Sequence, residues 1–286
     1  MNYKIALAML AFAANSVLCR LALAQDQIDP MSFSVLRVLS GVIVLAILFV
    51  MANRQRVTKL KPHWQIKNGF FLALYVVALS LAYVKIDAGV GALILFGTVQ
   101  FTMVIYGLLH GERLNLQNAT GLLLAILGII ILLLPGATAP DLMYSLIMVV
   151  SGIAWAAYSI LGKGSENPLV TTYSNFVMAL PFVLIFSVFF IGNLHMNWQG
   201  ILLAVTSGGL ASSGAYVLWY SILKQIDRIT ASAVQLSVPC LSIIGGSLFI
   251  GEMVGWRVIF SSILVLCGIL LVIFFPSKPK YSPCLK

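Results

Sequence analysis

The sequence predicts an all-α polytopic membrane protein: ten transmembrane helices in two inverted five-helix repeats, with the N and C termini cytoplasmic. Three observations predict it. Of the 286 residues, 61% are hydrophobic and only 9% are charged, where a soluble domain carries about a quarter charged residues. Apolar runs of the roughly 20 residues that a helix needs to cross a bilayer recur along the chain. Finally, landmarks of the first half return 140 residues later.

The elements follow in order. Helix one takes 5–24; Lys4 and the closing "ALA" at 22–24 resemble a secretory leader, but Asn15 and Arg20 inside the run, and a counterpart in mid-chain, assign it to the fold. Helix two takes 32–51, after the break "QDQIDP" at 25–30, and helix three takes 66–86, after the basic break "NRQRVTKLKPH" at 53–63. Helices four and five take 88–110 and 116–134, and "PGATAPD" at 135–141 separates them from helix six at 142–162. Helix seven takes 169–192 after "GSENP", helix eight 198–222 after "NLHMNW", helix nine 230–250 and helix ten 255–275. No break is long enough for a soluble domain. Residues 1–140 are expected to form the first repeat, 141–276 the second, and 277–286 a short basic tail.

Charge placement sets the orientation. On the face of the N-terminus lie Lys4, Arg54, Arg56, Lys59, Lys61, Lys67, Arg113, Lys163, Lys224, Arg228, Lys278, Lys280 and Lys286; the opposite face has Arg20, Lys85 and Arg257. Lys and Arg are retained in the cytoplasm, so both termini are placed inside. The formal charge of +9 is therefore a topology signal, with no nucleic acid as partner, and the run from Arg54 to Lys67 is an anchor or a lipid-headgroup site. Cys19, Cys240, Cys267 and Cys284 have neither paired nor metal-like spacing, and the first three read as small apolar packing residues.

Shifted by 140, Asp87 falls on Asp227, Gly111-Glu112 on Gly251-Glu252 and Gly128 on Gly268; "NSVLCR" at 15–20 pairs with "YSILGK" at 158–163, and Asp29-Pro30 with Asn167-Pro168. Five crossings per copy is an odd number, so the second copy enters from the other face and the halves are inverted. Inverted repeats of this kind build secondary transporters, because exchanging the conformations of the halves moves access from one face to the other around a midplane site. Glu112 and Glu252 then mark equivalent corners, read either as hydrated or N-capping residues of the following helix or as a coupling-ion site. Asp87 and Asp227 carry the same two readings.

Ten spans, the duplication, "IAWAAYSILGKG" at 153–164, "YVLWYSIL" at 216–223, "SAVQLSVP" at 232–239 and a Gly-Glu after helices four and nine resemble the drug/metabolite transporter superfamily in its EamA-type, ten-helix exporter branch. The resemblance spans the chain. It implies an inner-membrane, multi-pass carrier that exports metabolites, amino acids or xenobiotics, with a cavity lined by helices one, three, four, six, eight and nine. Relatives often carry a proline in mid-helix four; here "TVQFT" puts Gln100 in that region.

A polar group in hydrocarbon costs a few kcal/mol unless it meets a partner or water. That filter selects as substrate-binding candidates Asn15 and Ser16, Tyr75, Gln100, Trp155, Tyr158 and Ser159, Tyr216 and Trp219, and Gln235. Trp155, Tyr158 and Ser159 share one helical face, as do Tyr216, Trp219 and Tyr220; the alternatives are helix packing and, for Trp219 and Tyr220, an interfacial belt. Pro239 would free the Gln235 carbonyl and kink or gate helix nine. "SGGLASSGAY" at 207–216 and "DAGVGALILFG" at 87–97 allow close helix approach, read as packing. Arg37, inside helix two, is expected to snorkel to the outer surface, with an anionic substrate group as the alternative. No carboxylate lies mid-span, so uniport, exchange or a proton site at an edge carboxylate is expected. No cofactor or metal is called for: HExxH and paired aspartates are missing, which disfavours a membrane-embedded enzyme, and a channel's filter or charge ring is missing too. The expected partners are a small-molecule substrate and the lipid bilayer.

Overall fold

A computed structural model describes residues 2–54, 64–110, 116–136, 139–162, 166–190, 192, 194–223, 235 and 237–274. Helices account for nearly all of them: α1 (Asn2–Ala24), α2 (Pro30–Arg54), α3 (Ile66–Ala82), α4 (Ala88–Leu109), α5 (Leu116–Leu133), α6 (Leu142–Gly162) and α7 (Pro168–Val188) come first. A long helix, α8, follows as Trp198–Thr206, a π-helical stretch Ser207–Gly214, and Ala215–Leu223; then come α9 (Ser237–Ile250) and α10 (Trp256–Phe274). Six of the described helices are long and apolar enough to cross a membrane, and shorter apolar ones cover Ile66–Ala82, Ala119–Leu133, Ser237–Ile250 and Trp256–Leu271.

The exterior is apolar and the interior partly polar. Ile43, Ile47, Leu123, Leu146, Leu202 and Ile263 are exposed, whereas Asn15, Ser34, Arg37, Ser80, Asn175 and Ser212 are buried. Lipid accepts the former and cannot hydrogen-bond the latter, so polar groups gather between helices.

Equivalent residues of the two halves do equivalent work. Asp29 Oδ1 accepts the N–H groups of Met31 and Ser32, both at 2.9 Å, and starts α2. Asn167 Oδ1 accepts those of Leu169 and Val170 at 3.1 and 3.3 Å and starts α7. In both cases proline follows, at the first helical position, where a missing N–H costs nothing.

Packing repeats the same relation. α3 lies on α6 and α7, as α8 lies on α1 and α2; α4 lies on α6, as α9 lies on α1; and α2 meets α7, α4 meets α9 and α5 meets α10. Moving each helix five places along maps these pairs onto one another; the smaller contacts of α4 with α1, α5 and α10 have no comparable counterpart among the described residues.

The differences from expectation are local. α3 stops at Ala82, and the turn after it is held because Arg20 takes the carbonyls of Tyr83 and Val84 at 3.0 and 2.9 Å. α7 stops at Val188 and runs through Pro181. α9 is described from Ser237, and Gln235 is also helical; the upstream ladder that a kink at Pro239 needs lies outside the described residues. Cys240 and Cys267 are exposed rather than packed inside, while Cys19 is buried. Lys163, Asp227, Glu112 and Cys284 lie outside the described residues.

The small-residue stretches serve packing. A side chain at Gly208 would overlap the Arg37 carbonyl and Ser40 Oγ, and one at Gly89 would overlap Ile243. α8 thus lies directly on α2, and α4 on α9.

Candidate functional site

A small cavity lies among α1, α3, α4, α6 and α8, walled by Phe12, Asn15, Ser16, Tyr75, Leu79, Ala92, Leu95, Phe96, Trp155 and Tyr216. It has room for about one water molecule. Five of the helices that the resemblance implied contribute; among its described residues α9 adds nothing to this wall.

The wall is aromatic. Phe12 makes T-shaped contacts with Trp155, Tyr216 and Trp219, with ring centroids 6.3, 5.9 and 6.0 Å apart. Trp155 lies 4.8 Å from Tyr75 and 4.9 Å from Tyr216. Edge-to-face and tilted pairs at these separations are favourable beyond their buried area. Such a wall suits an apolar or aromatic body, with hydroxyl and amide groups to hold its polar atoms.

Of the residues selected from sequence, Asn15, Ser16, Tyr75, Trp155 and Tyr216 are brought together on the wall. Tyr158 stands behind Trp155 at 5.5 Å and accepts a hydrogen bond from Asn175 Nδ2 at 3.3 Å. Ser159 donates within its own helix to the Trp155 carbonyl at 2.8 Å. Trp219 and Tyr220 are 5% and 7% exposed, so neither sits in an interfacial belt; Trp219 packs on Phe12. Gln100 and Gln235 are half-buried and outside the wall.

Sequence reasoning missed Phe12 and Phe96, and misplaced Arg37. Phe12 carries a usable signal, since it stands three and four residues before Asn15 and Ser16 on the same helical face. Arg37 does not snorkel. It is 1% exposed, and its Nε donates to Ser212 Oγ at 3.0 Å while Nη2 reaches the hydroxyls of Tyr75 and Tyr216, both at 3.4 Å. The reason is steric and polar together: α2 turns this face onto the glycine and serine stretch of α8, whose small residues leave room for a guanidinium.

One end of the bundle carries a charged cluster. Arg20, at the end of α1, donates through Nε to Glu252 Oε1 at 3.0 Å and through Nη2 to Asp87 Oδ1 at 3.2 Å. Glu252 accepts the N–H of Ala88, the first residue of α4, at 2.9 and 3.1 Å. Its N-capping role therefore belongs to α4 and not to the helix that follows it. Gly251, at φ +78°, turns the chain so that the carboxylate can reach. Burial first, then Asp87, raise the Glu252 carboxyl above the ordinary value, against the lowering effect of Arg20 and the Ala88 N–H.

The same end carries further links. Asp29 Oδ2 accepts the N–H of His195 at 3.0 Å, Gln27 and Asn197 pair through their side chains, and Arg257 donates to the Leu134 carbonyl at 2.7 Å. No group of histidine, cysteine and carboxylate side chains suited to a metal occurs among the described residues.

Comparison with known proteins agrees with this architecture. The model of the EamA-like transporter family matches twice, over residues 3–134 and 142–274. An uncharacterized protein of Pseudomonas aeruginosa is 45% identical over 93% of this chain and 92% of its own. An uncharacterized transporter of Bacillus subtilis is 24% identical over 88% of this chain and 90% of its own. A protein of Salmonella typhimurium, described as a probable amino-acid metabolite efflux pump, is 23% identical over 65% of this chain and 68% of its own. A crystal structure of 19% identity superposes with a TM-score of 0.60, covering 93% of this chain and 96% of the other, which shows the shared fold.

Proposed function

The chain belongs to the EamA-like transporter family, and from that premise we propose that it exports small amino-acid-like or amphipathic metabolites across the cell inner membrane by alternating access. The observation that carries the reading is the aromatic cavity built from both halves, with Phe12, Tyr75 and Phe96 from the first and Trp155 and Tyr216 from the second. A family of transporters, and a relative described as an efflux pump, agree with carriage and not with catalysis.

Residues 1–140 and 141–276 act as inverted repeats. The double family match, the matched caps at Asp29 and Asn167, and the helix pairs that map onto one another support this. In alternating access the Arg20, Asp87 and Glu252 cluster is the closure at one end, and opening that end requires parting it. The charge bias of the sequence assigns that end to the outside. Glu252 is the edge carboxylate best suited to exchange a proton during the cycle.

The test is counterflow in proteoliposomes loaded with amino acids and aromatic amines. Saturable exchange that is lost in Tyr75→Ala, Trp155→Ala and Tyr216→Ala, all on the cavity wall, with membrane insertion retained, is the expected result. Wild-type flux in all three variants overturns the cavity assignment. Linear, unsaturable flux identifies a channel instead.

A further inference from the structure

We propose that the transported compound carries an anionic head group, a carboxylate on an apolar body, recognised by the Arg37 charge through the hydroxyls of Tyr75 and Tyr216. The inference rests on the cavity reading above and adds the chemical class of the ligand.

The argument begins with an unbalanced charge. Arg37 is 1% exposed and sits among apolar helices, yet no described carboxylate pairs with it: the ion pairs among the described residues join Arg20 to Asp87 and Glu252, and His195 to Asp26. Guanidinium does not deprotonate in proteins. A buried charge without a counter-ion is costly, and an ionisable residue inside a membrane domain that bears this cost marks a functional site.

Its present partners are neutral, and several are loosely held. Only the bond to Ser212 Oγ, at 3.0 Å, has ordinary length. The contacts to Tyr75 OH and Tyr216 OH are 3.4 Å each, that to Cys19 Sγ is 3.7 Å, and the guanidinium carbon lies 5.5 Å from the centre of the Tyr75 ring. These groups solvate the cation without neutralising it.

The two tyrosines connect charge and cavity. Both line the cavity, and a phenol that accepts a hydrogen bond from a guanidinium retains its own O–H to donate. Arg37 polarises that donor; the two hydroxyls also hydrogen-bond each other, so the pair offers one strengthened O–H group to an incoming oxygen anion. Asn15, also on the wall, has its Oδ1 occupied by the hydroxyls of Ser207 and Ser212 at 2.7 and 3.2 Å. Its amide N–H groups remain as a second donor. A set of donors next to a buried cation, with Phe12, Leu79, Leu95, Phe96 and Trp155 on the other walls, fits a monocarboxylate with a hydrocarbon or aromatic body.

The experiment compares head groups on one body. Thermal unfolding of the purified full-length protein in detergent is followed with a thiol-reactive dye in the presence of 3-phenylpropionate, 3-phenylpropanamide or 3-phenylpropylamine. The carboxylate is expected to raise the midpoint by a few degrees, the amide and amine not. Arg37→Met should abolish that shift and unfold, without ligand, at or above the wild-type midpoint, since it removes an uncompensated cation. Equal stabilisation by the amide or amine, a carboxylate shift that survives Arg37→Met, or no shift with the carboxylate overturns the proposal. The comparison of head groups on the wild-type protein stands even if the variant fails to fold. A preference for amine or amide that Trp155→Ala removes would overturn the anion assignment and leave the cavity reading intact; unaltered flux in the three cavity variants would strike the cavity reading itself.

Discussion

Arg20 and Glu252 meet at 3.0 Å across a sequence separation of 232 residues, fastening the end of the first helix to the turn between the last two. Arg20 has four partners in this cluster, the carbonyls of Tyr83 and Val84 and the carboxylates of Asp87 and Glu252. Arg20→Met leaves two carboxylates facing one another without a cation. It is expected to lower stability by about 1–3 kcal/mol, measured by thermal unfolding in detergent, and to raise the reactivity of a cysteine placed at Ser16 toward a water-soluble maleimide. Unchanged reactivity would mean that the cluster is not a closure.

The raised Glu252 carboxyl sets a direction for pH dependence. Its causes are burial first and then Asp87, opposed by Arg20 and the Ala88 N–H. A carboxyl whose folded pKa lies above its unfolded value stabilises the fold at the acid end, and that contribution is lost as pH rises from the ordinary glutamate value, about 4.3, through the raised one. Midpoints measured across this window should fall with rising pH in the wild-type protein and show a shallower slope in Glu252→Gln. Equal slopes would contradict the assignment.

Phe12 joins three aromatic partners at the cavity. Phe12→Leu keeps most of the volume and should cost less than about 1.5 kcal/mol, yet it removes an aromatic ring from the cavity wall. A rise in KM of about tenfold, from loss of roughly 1.4 kcal/mol of aromatic contact, is expected in vesicle transport. An unchanged KM would place the ligand elsewhere.

Two glycines of the same π-helical stretch should respond in opposite ways. At Gly208 a side chain would overlap the Arg37 carbonyl, while at Gly214 nothing lies within 4 Å. Gly208→Ala should destabilise by about 1–3 kcal/mol, and Gly214→Ala should be neutral or stabilise by about 0.4–1 kcal/mol. Comparing the two unfolding midpoints checks the closeness of α2 and α8.

Orientation is tested by single cysteines at exposed positions. Met196 and Trp64 are 53% and 50% exposed and fall on opposite faces in the ten-span reading. Met196→Cys should label in intact cells with a membrane-impermeant maleimide, and Trp64→Cys only after permeabilisation. Labelling of both in intact cells would refute the inverted arrangement.

The helices were legible because apolar runs broken by Gly, Pro and charged residues are local signals. Aromatic faces were legible for the same reason: Trp155 with Tyr158, and Tyr216 with Trp219, share faces through spacing alone. What escaped depends on distant partners. Glu252 caps a helix whose first residue is 164 positions away, whereas capping patterns are written for the adjacent helix. Arg37 is held inside by Ser212, 175 positions on, and nothing in α2 alone distinguishes that from snorkelling. Phe12 is legible only through its place three and four residues before Asn15 and Ser16, because a phenylalanine in an apolar run otherwise looks the same facing lipid or facing the interior.

The Ser207–Gly214 stretch is wound as a π-helix, and its counterpart in α3, within Ile66–Ala82, is regular α-helix. A mirror exchange between halves would demand that one rewind while the other unwinds, at different cost. In the alternating-access cycle proposed above, the rocker would have unequal arms: its two resting positions would differ in energy before any cargo boards, with that bias stored in α8.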